Sequence, residues 1–429
     1  MRRALAILLW SLTASTPAIA ADAVDAVARD YVELALDAQR LQPDLISVIA
    51  PQPIPSTRGK GSARDAVAIE RALGALTTRL DGVGPVTDRL DAMRLRALRA
   101  RIESLRVQMR PADAPQLPVA EEVARKFGFV PDFRPLAGYD AALDRLDKAM
   151  PGDGNLPERI DAMKKAAIVP PDRIEPVSRA AIAECRRRTA AHLDLGREGI
   201  ELKVTDDPTF PAGATYAGGG KSIVTVSRVL PMNVDQVLQM ACHEVYPGHH
   251  VHYVTLDRAL NSGRGWVEFS VDQVGPAVPV AEAVAEYGVG LAFPVEERLA
   301  FERDVLFPLA GLTMGDPAQW RAYLSARSSI LGASATVARD YLGGSIDHDQ
   351  ARRQFIRYRL QTPEAAGQLL KMLSAVGSYV IASDLGWYTI DRVMQGRSVE
   401  EQWRLLAQIE REPMLLDDIA ALGETPPTE

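Results

Sequence analysis

The segment ACHEVYPGHHVHYV, Ala241 to Val254, holds four of the chain's six histidines: His243, His249, His250 and His252. Imidazoles clustered beside a carboxylate are a donor set suited to zinc. In a regular helix the spacing H-E-x-x-H sets two imidazoles about 6 Å apart on one face, with the glutamate beside them as a general base. His243 and Glu244 begin that pattern after the apolar, helix-like run VDQVLQMAC, but Pro247 stands where the second histidine belongs. His249 and His250 lie six and seven residues beyond His243, and a straight helix would separate them from it by about 9 or 10 Å along its axis. One ion does not bridge that gap. Proline removes a helix hydrogen bond and glycine tolerates almost any backbone angle, so the Pro247-Gly248 pair allows the turn to bulge. Looping out both residues puts His249 in the place of the missing histidine, whereas accommodating three residues puts His250 there. His249 is the favoured ligand and His250 the alternative.

A zinc site of this kind needs a third protein ligand. The stretch VGPAVPVAEAVAEYGVGLAFP, Val274 to Pro294, contains only two charged residues, Glu282 and Glu286. A carboxylate in so apolar a helix costs several kcal/mol unless it is paired or bound to metal. Four residues apart, the two share one face. They suit a ligand and a neighbouring carboxylate that orients an imidazole.

The elements that must position these groups are mostly helical. From Ile69 to Val107, Leu, Ile and Met recur at three- and four-residue spacing between arginines and acids, which predicts amphipathic helices. Gly82-Val83-Gly84-Pro85 divides this stretch in two. Proline-rich breaks follow at 50–55, 151–158 and 169–176, and the last is the expected boundary between an N-terminal helical lobe, 21–170, and a C-terminal lobe, 171–429. The persuasive strand signal is GATYAGGGKSIVTVS, Gly213 to Ser227, with a β-branched run bounded by glycines. A strand beside a metal-bearing helix is suited to hold an extended peptide by backbone pairing.

HEVYPGHH, followed some thirty residues later by AEAVAEYGVGL, resembles the bacterial domain-of-unknown-function 885 family. Its pattern is H-E-x-x-P-G-H-H followed by E-G-W-A-x-Y-x-E, and it is similar to the gluzincin metallopeptidases. The resemblance runs from about Cys185 towards the C-terminus. It places His243 and Glu244 on the histidine-glutamate pair, His249 and His250 on the double histidine, Glu282 on the glutamate of E-G-W, and Tyr287 on its tyrosine. Ala283, Val284 and Val289 depart from the second motif. RYRLQTPEAAGQLLKMLSAVGSY is similar to a further segment, which implies that Arg357 and Tyr358 contact substrate and that Tyr379 stabilises an oxyanion. The family's D-T-G-L-H is replaced by DYLGG, Asp340 to Gly344, which lacks the histidine.

The resemblance implies a mainly α, zincin-like helical metallopeptidase with a small β-sheet beside the active-site helix. One Zn2+ per chain would be held by His243, His249 and Glu282. Glu286 would orient an imidazole, Glu244 would serve as the general base, and the substrate would be a peptide. A periplasmic zinc-binding protein without hydrolytic activity and a zinc amidase acting on cell-wall peptides are the alternatives.

Composition restricts the partners and the compartment. Charged residues make up 24% of the chain and the formal net charge is −7, so nothing in the composition suggests nucleic acid or anionic lipid as a partner, local basic patches aside. Arg2 and Arg3, the apolar run ALAILLWSL, and Ala18-Ile19-Ala20 predict a secretory leader over residues 1–20, cleaved after Ala20. Its apolar run is about half the length of a spanning helix, and no later segment is both long enough and free of charge. The mature chain is therefore expected to cross the inner membrane to the periplasm and to keep no membrane segment. Cys185 and Cys242 are read as buried small apolar residues, although that compartment permits a disulfide.

Overall fold

The structure, a computed structural model, describes residues 17–49, 64–111 and 113–424. The expected leader lies outside these residues except for 17–20, which begin the first helix, and the break expected at 50–55 lies outside them altogether. The chain is mainly helical. Helices α1 (Pro17–Leu41), α2 (Ala66–Asp81), α3 (Arg89–Gln108), α4 (Val119–Phe127), α5 (Asp140–Ala149), α6 (Leu156–Lys165) and α7 (Ile174–Ala190) precede the main sheet, with the short strand β1 (Ile46–Val48) between α1 and α2. Strands β2 (Gly199–Thr205), β3 (Ala212–Gly218) and β4 (Lys221–Ser227) follow, then α8 (Val234–Glu244) and α9 (His249–Leu256), then β5 (Val271–Gln273) and α10 (Ala277–Ala292). The remainder is α11 (Val295–Phe301), α12 (Phe307–Leu309), α13 (Pro317–Arg327), α14 (Ala333–Leu342), α15 (His348–Tyr358), α16 (Pro363–Val376), α17 (Tyr379–Met394), α18 (Val399–Ile409) and α19 (Leu416–Leu422).

The split anticipated at 82–85 falls between α2 and α3, where each helix is started by an aspartate. Asp65 accepts from the Ala68 amide at 2.8 Å and Asp88 from the Asp91 amide at 3.0 Å, satisfying donors that a helix start leaves unpaired. A capping box starts α8: Asn233 Oδ1 accepts from the Gln236 amide and Gln236 Oε1 from the Asn233 amide.

The expected glycine-rich hairpin is β3 and β4, but it belongs to a three-stranded sheet of order β2-β4-β3. The parallel partner β2, with Gly199 opposite Lys221, was not foreseen, and β3 is an edge strand as a result. Two three-residue strands, β1 and β5, pair antiparallel elsewhere. Segments so short carry almost no alternation for a sequence to display.

The packing does not divide at residue 170. The main hydrophobic core joins Phe127, Leu143 and Ile160 to Val177, Leu238, Val284, Ile381 and Trp403, so elements from both sides of the expected boundary share one interior. A second, smaller core unites α1, α2 and α3 with Val271 of β5. Helix α3 contributes to both, through Met93 on one side and Leu98 and Ile102 on the other. Among the described residues no single helix is long and apolar enough to cross a membrane.

The cysteines are buried, as expected, but they are not separate apolar residues. Cys185 of α7 and Cys242 of α8 form a disulfide across 57 residues of sequence. Closing a loop of that length contributes about 4 kcal/mol through the unfolded chain. Replacing both cysteines by alanine, or adding dithiothreitol, is expected to lower the thermal unfolding midpoint clearly, as measured by circular dichroism. An unchanged midpoint in both conditions would show that the bond is not formed in solution.

Candidate metal centre

The break between α8 and α9 is built from hydrogen bonds that span six residues. The Gly248 amide donates to the Cys242 carbonyl at 3.1 Å and the Val251 amide to the Val245 carbonyl at 3.4 Å, where a regular helix spans four. The chain therefore gains two residues in one turn, and His249 comes to the position that a fourth residue after His243 would occupy. The Tyr246-Pro247 peptide is cis. A Cβ on Gly248 would lie 1.7 Å from the His243 carbonyl oxygen, so no other residue fits. Pro247 packs on α10, where a Cβ at Gly288 would meet its ring at 2.5 Å.

The rings of His243 and His249 meet edge to face with centroids 4.8 Å apart. Both turn towards α10. His243 Nε2 lies 3.7 Å from Glu282 Oε2, and His249 Nε2 lies 3.6 Å from Glu282 Oε1. Donors around a tetrahedral zinc, each about 2.0 Å from the ion, stand roughly 3.3 Å apart. The spacing and the donor types fit such an ion, with His249 Nδ1 buried and unpartnered on the far side of the ring. Glu244 is close as well: donor atoms of His243, Glu244 and His249 all lie within 4.8 Å of one another. Of the two carboxylates, Glu282 is the better third ligand because separate oxygens face both imidazoles, whereas Glu244 Oε2 accepts from the Ala214 amide of β3 at 3.0 Å.

Glu286 lies beside the other nitrogen of the His243 ring. Its Oε2 is 3.4 Å from His243 Nδ1. Arg327 donates to its Oε1 at 2.9 Å and Gln239 to its Oε2 at 2.8 Å. Gln239, one turn before His243, is itself held by Arg298 and Arg327. Burial alone would lower the His243 pKa, but the bond to Glu286 and the charges of Glu282, Glu244 and Glu286 raise it to about 9. Burial would likewise raise Glu282, but His249, His243 and the Tyr379 hydroxyl bring it down to about 2. For Glu286, burial is outweighed by Arg327 and His243, again to about 2. Negative charge from Glu282, Glu286 and Glu244 thus gathers around the His243 ring.

His250 faces the other way. Its Nδ1 is 2.7 Å from Ser222 Oγ on β4, its Nε2 is 3.1 Å from Glu198 Oε2, and the residue is 1% exposed. It ties α9 to the sheet and is not available to a shared ion. His252 is also buried, and desolvation lowers its pKa to about 3.

The tyrosine and arginine candidates separate. Tyr379, first residue of α17, donates to Glu282 Oε1 at 2.8 Å. Burial and the charge of Glu282 raise its pKa, keeping the hydroxyl a donor. Tyr358 lines the cavity described next, with its hydroxyl 3.1 Å from Asp140 Oδ1. Arg357 does not reach that cavity. It is at the surface, donating to Asp140 at 2.8 Å, because the last turn of α15 points it outward towards α5. The expected substrate role for Arg357 is therefore corrected. None of residues 340–344 lines the cavity either.

The metal candidates open onto a cavity of about 1620 Å³ whose wall includes β3. Several of its residues escaped the sequence reading. Tyr253 stands one turn after His249, a spacing that pointed to it, and donates to Asp272 Oδ2 at 2.6 Å. No signal marked Asp272, Arg327 or Arg359.

His249→Ala is expected to abolish stoichiometric zinc binding, as measured by elemental analysis after dialysis. His250→Ala is expected to keep the zinc but to lose about 1–3 kcal/mol of stability, because it removes a buried hydrogen-bond partner. Retention of zinc in the first variant with loss in the second would exchange their roles.

No family model and no curated protein matches the chain. Its fold is similar to the crystal structure of a candidate lipoprotein from Colwellia psychrerythraea, with a TM-score of 0.52 and 13% identity. The likeness covers 85% of this chain and 64% of that one, so this chain spans less than two thirds of that protein's length. At this identity, the likeness is one of fold alone.

Proposed function

We propose that the chain is a zinc-dependent, zincin-like peptidase related to the domain-of-unknown-function 885 family, exported to the periplasm and acting on peptides in extended conformation. The observation that carries this reading is the convergence of His243 and His249 on Glu282, with Glu244 beside them, at the wall of a large cavity. The disulfide supports export, since such bonds persist in oxidising compartments.

His243, His249 and Glu282 would hold the ion. When bound, zinc supplies a positive charge that brings the pKa of water to about 7 and polarises a carbonyl. Glu286, fixed by Arg327 and Gln239, keeps the His243 ring in orientation through Nδ1. Glu244 takes a proton from the water that attacks the peptide carbonyl and passes it to the departing amine. A C–O bond forms, the C–N bond breaks, and the proton ends on nitrogen. Tyr379, whose hydroxyl reaches Glu282, would donate to the developing oxyanion. The edge strand β3, whose Ala214 amide holds Glu244, offers backbone groups to an extended substrate.

Glu244→Gln is expected to reduce hydrolysis of a peptide library, read by mass spectrometry, by at least about a hundredfold while leaving about one zinc per chain. A wild-type chain that binds zinc and cuts nothing would favour the non-catalytic zinc-binding reading. Loss of zinc from the variant would make Glu244 a ligand.

A further inference from the structure

A second polar cluster lies in the same cavity, along α17. Tyr379, Ser383 and Trp387 are spaced four residues apart on one stripe of that helix, and all three line the cavity. Tyr379 touches Glu282. Trp387 is eight residues further, about 12 Å along the helix axis. The guanidinium of Arg359 lies 5.8 Å from its ring, and its Nη1 donates to Ser334 Oγ at 3.2 Å. Arg359 is always charged and carries five N–H donors, yet its hydrogen bond among the described residues goes to a hydroxyl and not to a carboxylate. The nearby acid, Asp384, is occupied by the backbone: its Oδ2 accepts from the Ala335 amide at 2.8 Å. Lys164 adds a second cation, over the Tyr323 ring at 4.5 Å and bonded to the Leu360 carbonyl at 3.4 Å.

Two further features mark this wall as built for a ligand. Trp387 Nε1 and Gln361 Oε1 are buried with no hydrogen-bond partner, a state that costs about 1–3 kcal/mol each. Between Arg359 and Gln361, Leu360 has φ of +53°, the sole positive φ of a non-glycine among the described residues. Backbone strain of this kind gathers at ligand clamps. A cation whose hydrogen bond goes to a hydroxyl, although the buried Asp384 lies within its field, together with a free donor and a free acceptor, matches the terminal residue of a peptide.

We propose that Arg359 and Trp387 Nε1 anchor a carboxylate of the peptide, with Gln361 Oε1 accepting from a neighbouring peptide N–H, and so set how far from the anchored group the chain is cut. The substrate class rests on the peptidase reading above. At about 3.3 Å per extended residue, 12 Å corresponds to roughly three or four residues. The carboxylate is either the C-terminus of the peptide or an acidic side chain.

The test uses the full chain carrying Glu244→Gln, loaded with zinc, and three fluorescent peptides of one apolar sequence. The first has a free C-terminus, the second is amidated, and the third is amidated with a glutamate near its end. One or both carboxylate-bearing peptides are expected to bind roughly ten- to hundredfold more tightly than the second by anisotropy. The better of the two identifies the source of the carboxylate. The preference is expected to vanish in both Arg359→Gln and Arg359→Met, with folding checked by circular dichroism. Equal binding of all three peptides, a preference that survives both substitutions, or no binding by any of them overturns the proposal. Wild-type hydrolysis is scored separately. Carboxylate-dependent binding with no cleavage sinks the peptidase reading and leaves the anchor, whereas cleavage of all three alike does the reverse.

Discussion

Gly248 passes so close to the carbonyl of His243 that its hydrogen is all the space allows. That contact, with the six-residue hydrogen bonds on either side of it, converts a spacing unfit for a shared ion into one that brings His249 and His243 together. Everything around the site holds this turn in place. The disulfide secures α8 to α7 behind the histidine face, and α10 closes on Pro247 through the bare backbone of Gly288. His250, pinned to Ser222 and Glu198, fixes the start of α9 against the sheet. The double histidine thus divides its work: one ring faces the cavity and the next anchors the helix that presents it.

Charge is the second organising constraint. Glu282 and Glu286 sit in an otherwise apolar helix, where ionised carboxylates persist only if positive charge surrounds them. For Glu286 the protein supplies it permanently, through Arg327. For Glu282 it supplies only imidazoles and the Tyr379 hydroxyl. One carboxylate is neutralised by an arginine, whereas the other, among the described residues, meets only imidazoles and a hydroxyl, which the proposed zinc would complement. Under the proposed zinc binding, this asymmetry separates the ligand from its support.

The histidine cluster, the acidic pair and the amphipathic helices were legible because each leaves a local pattern: a spacing, an isolated charge, or a 3.6-residue period. The choice between His249 and His250 depended on how many residues the bulge absorbs, and the six-residue hydrogen bonds show that it takes in two. What stayed hidden is long-range. The parallel partner β2, the division of the cores, the disulfide and the approach of Asp272 or Arg327 to the site all depend on residues far apart in sequence. The arginine at 357 shows the same limit at short range. Near a helix end, two residues decide which side chain faces in, so Arg359 lines the cavity and Arg357 the surface.

Strand β3 is a sheet edge, and exposed edges are ordinarily a hazard because any unpaired strand will dock on them. Here part of the edge, Ala212 to Ala214, forms part of the wall of a large cavity. A folded domain has its own strands already paired, whereas a loose segment does not. Under the proposed reaction, the fold would sort by state rather than by sequence, sparing intact neighbours in the envelope and admitting only chains that have already lost their structure or never had one.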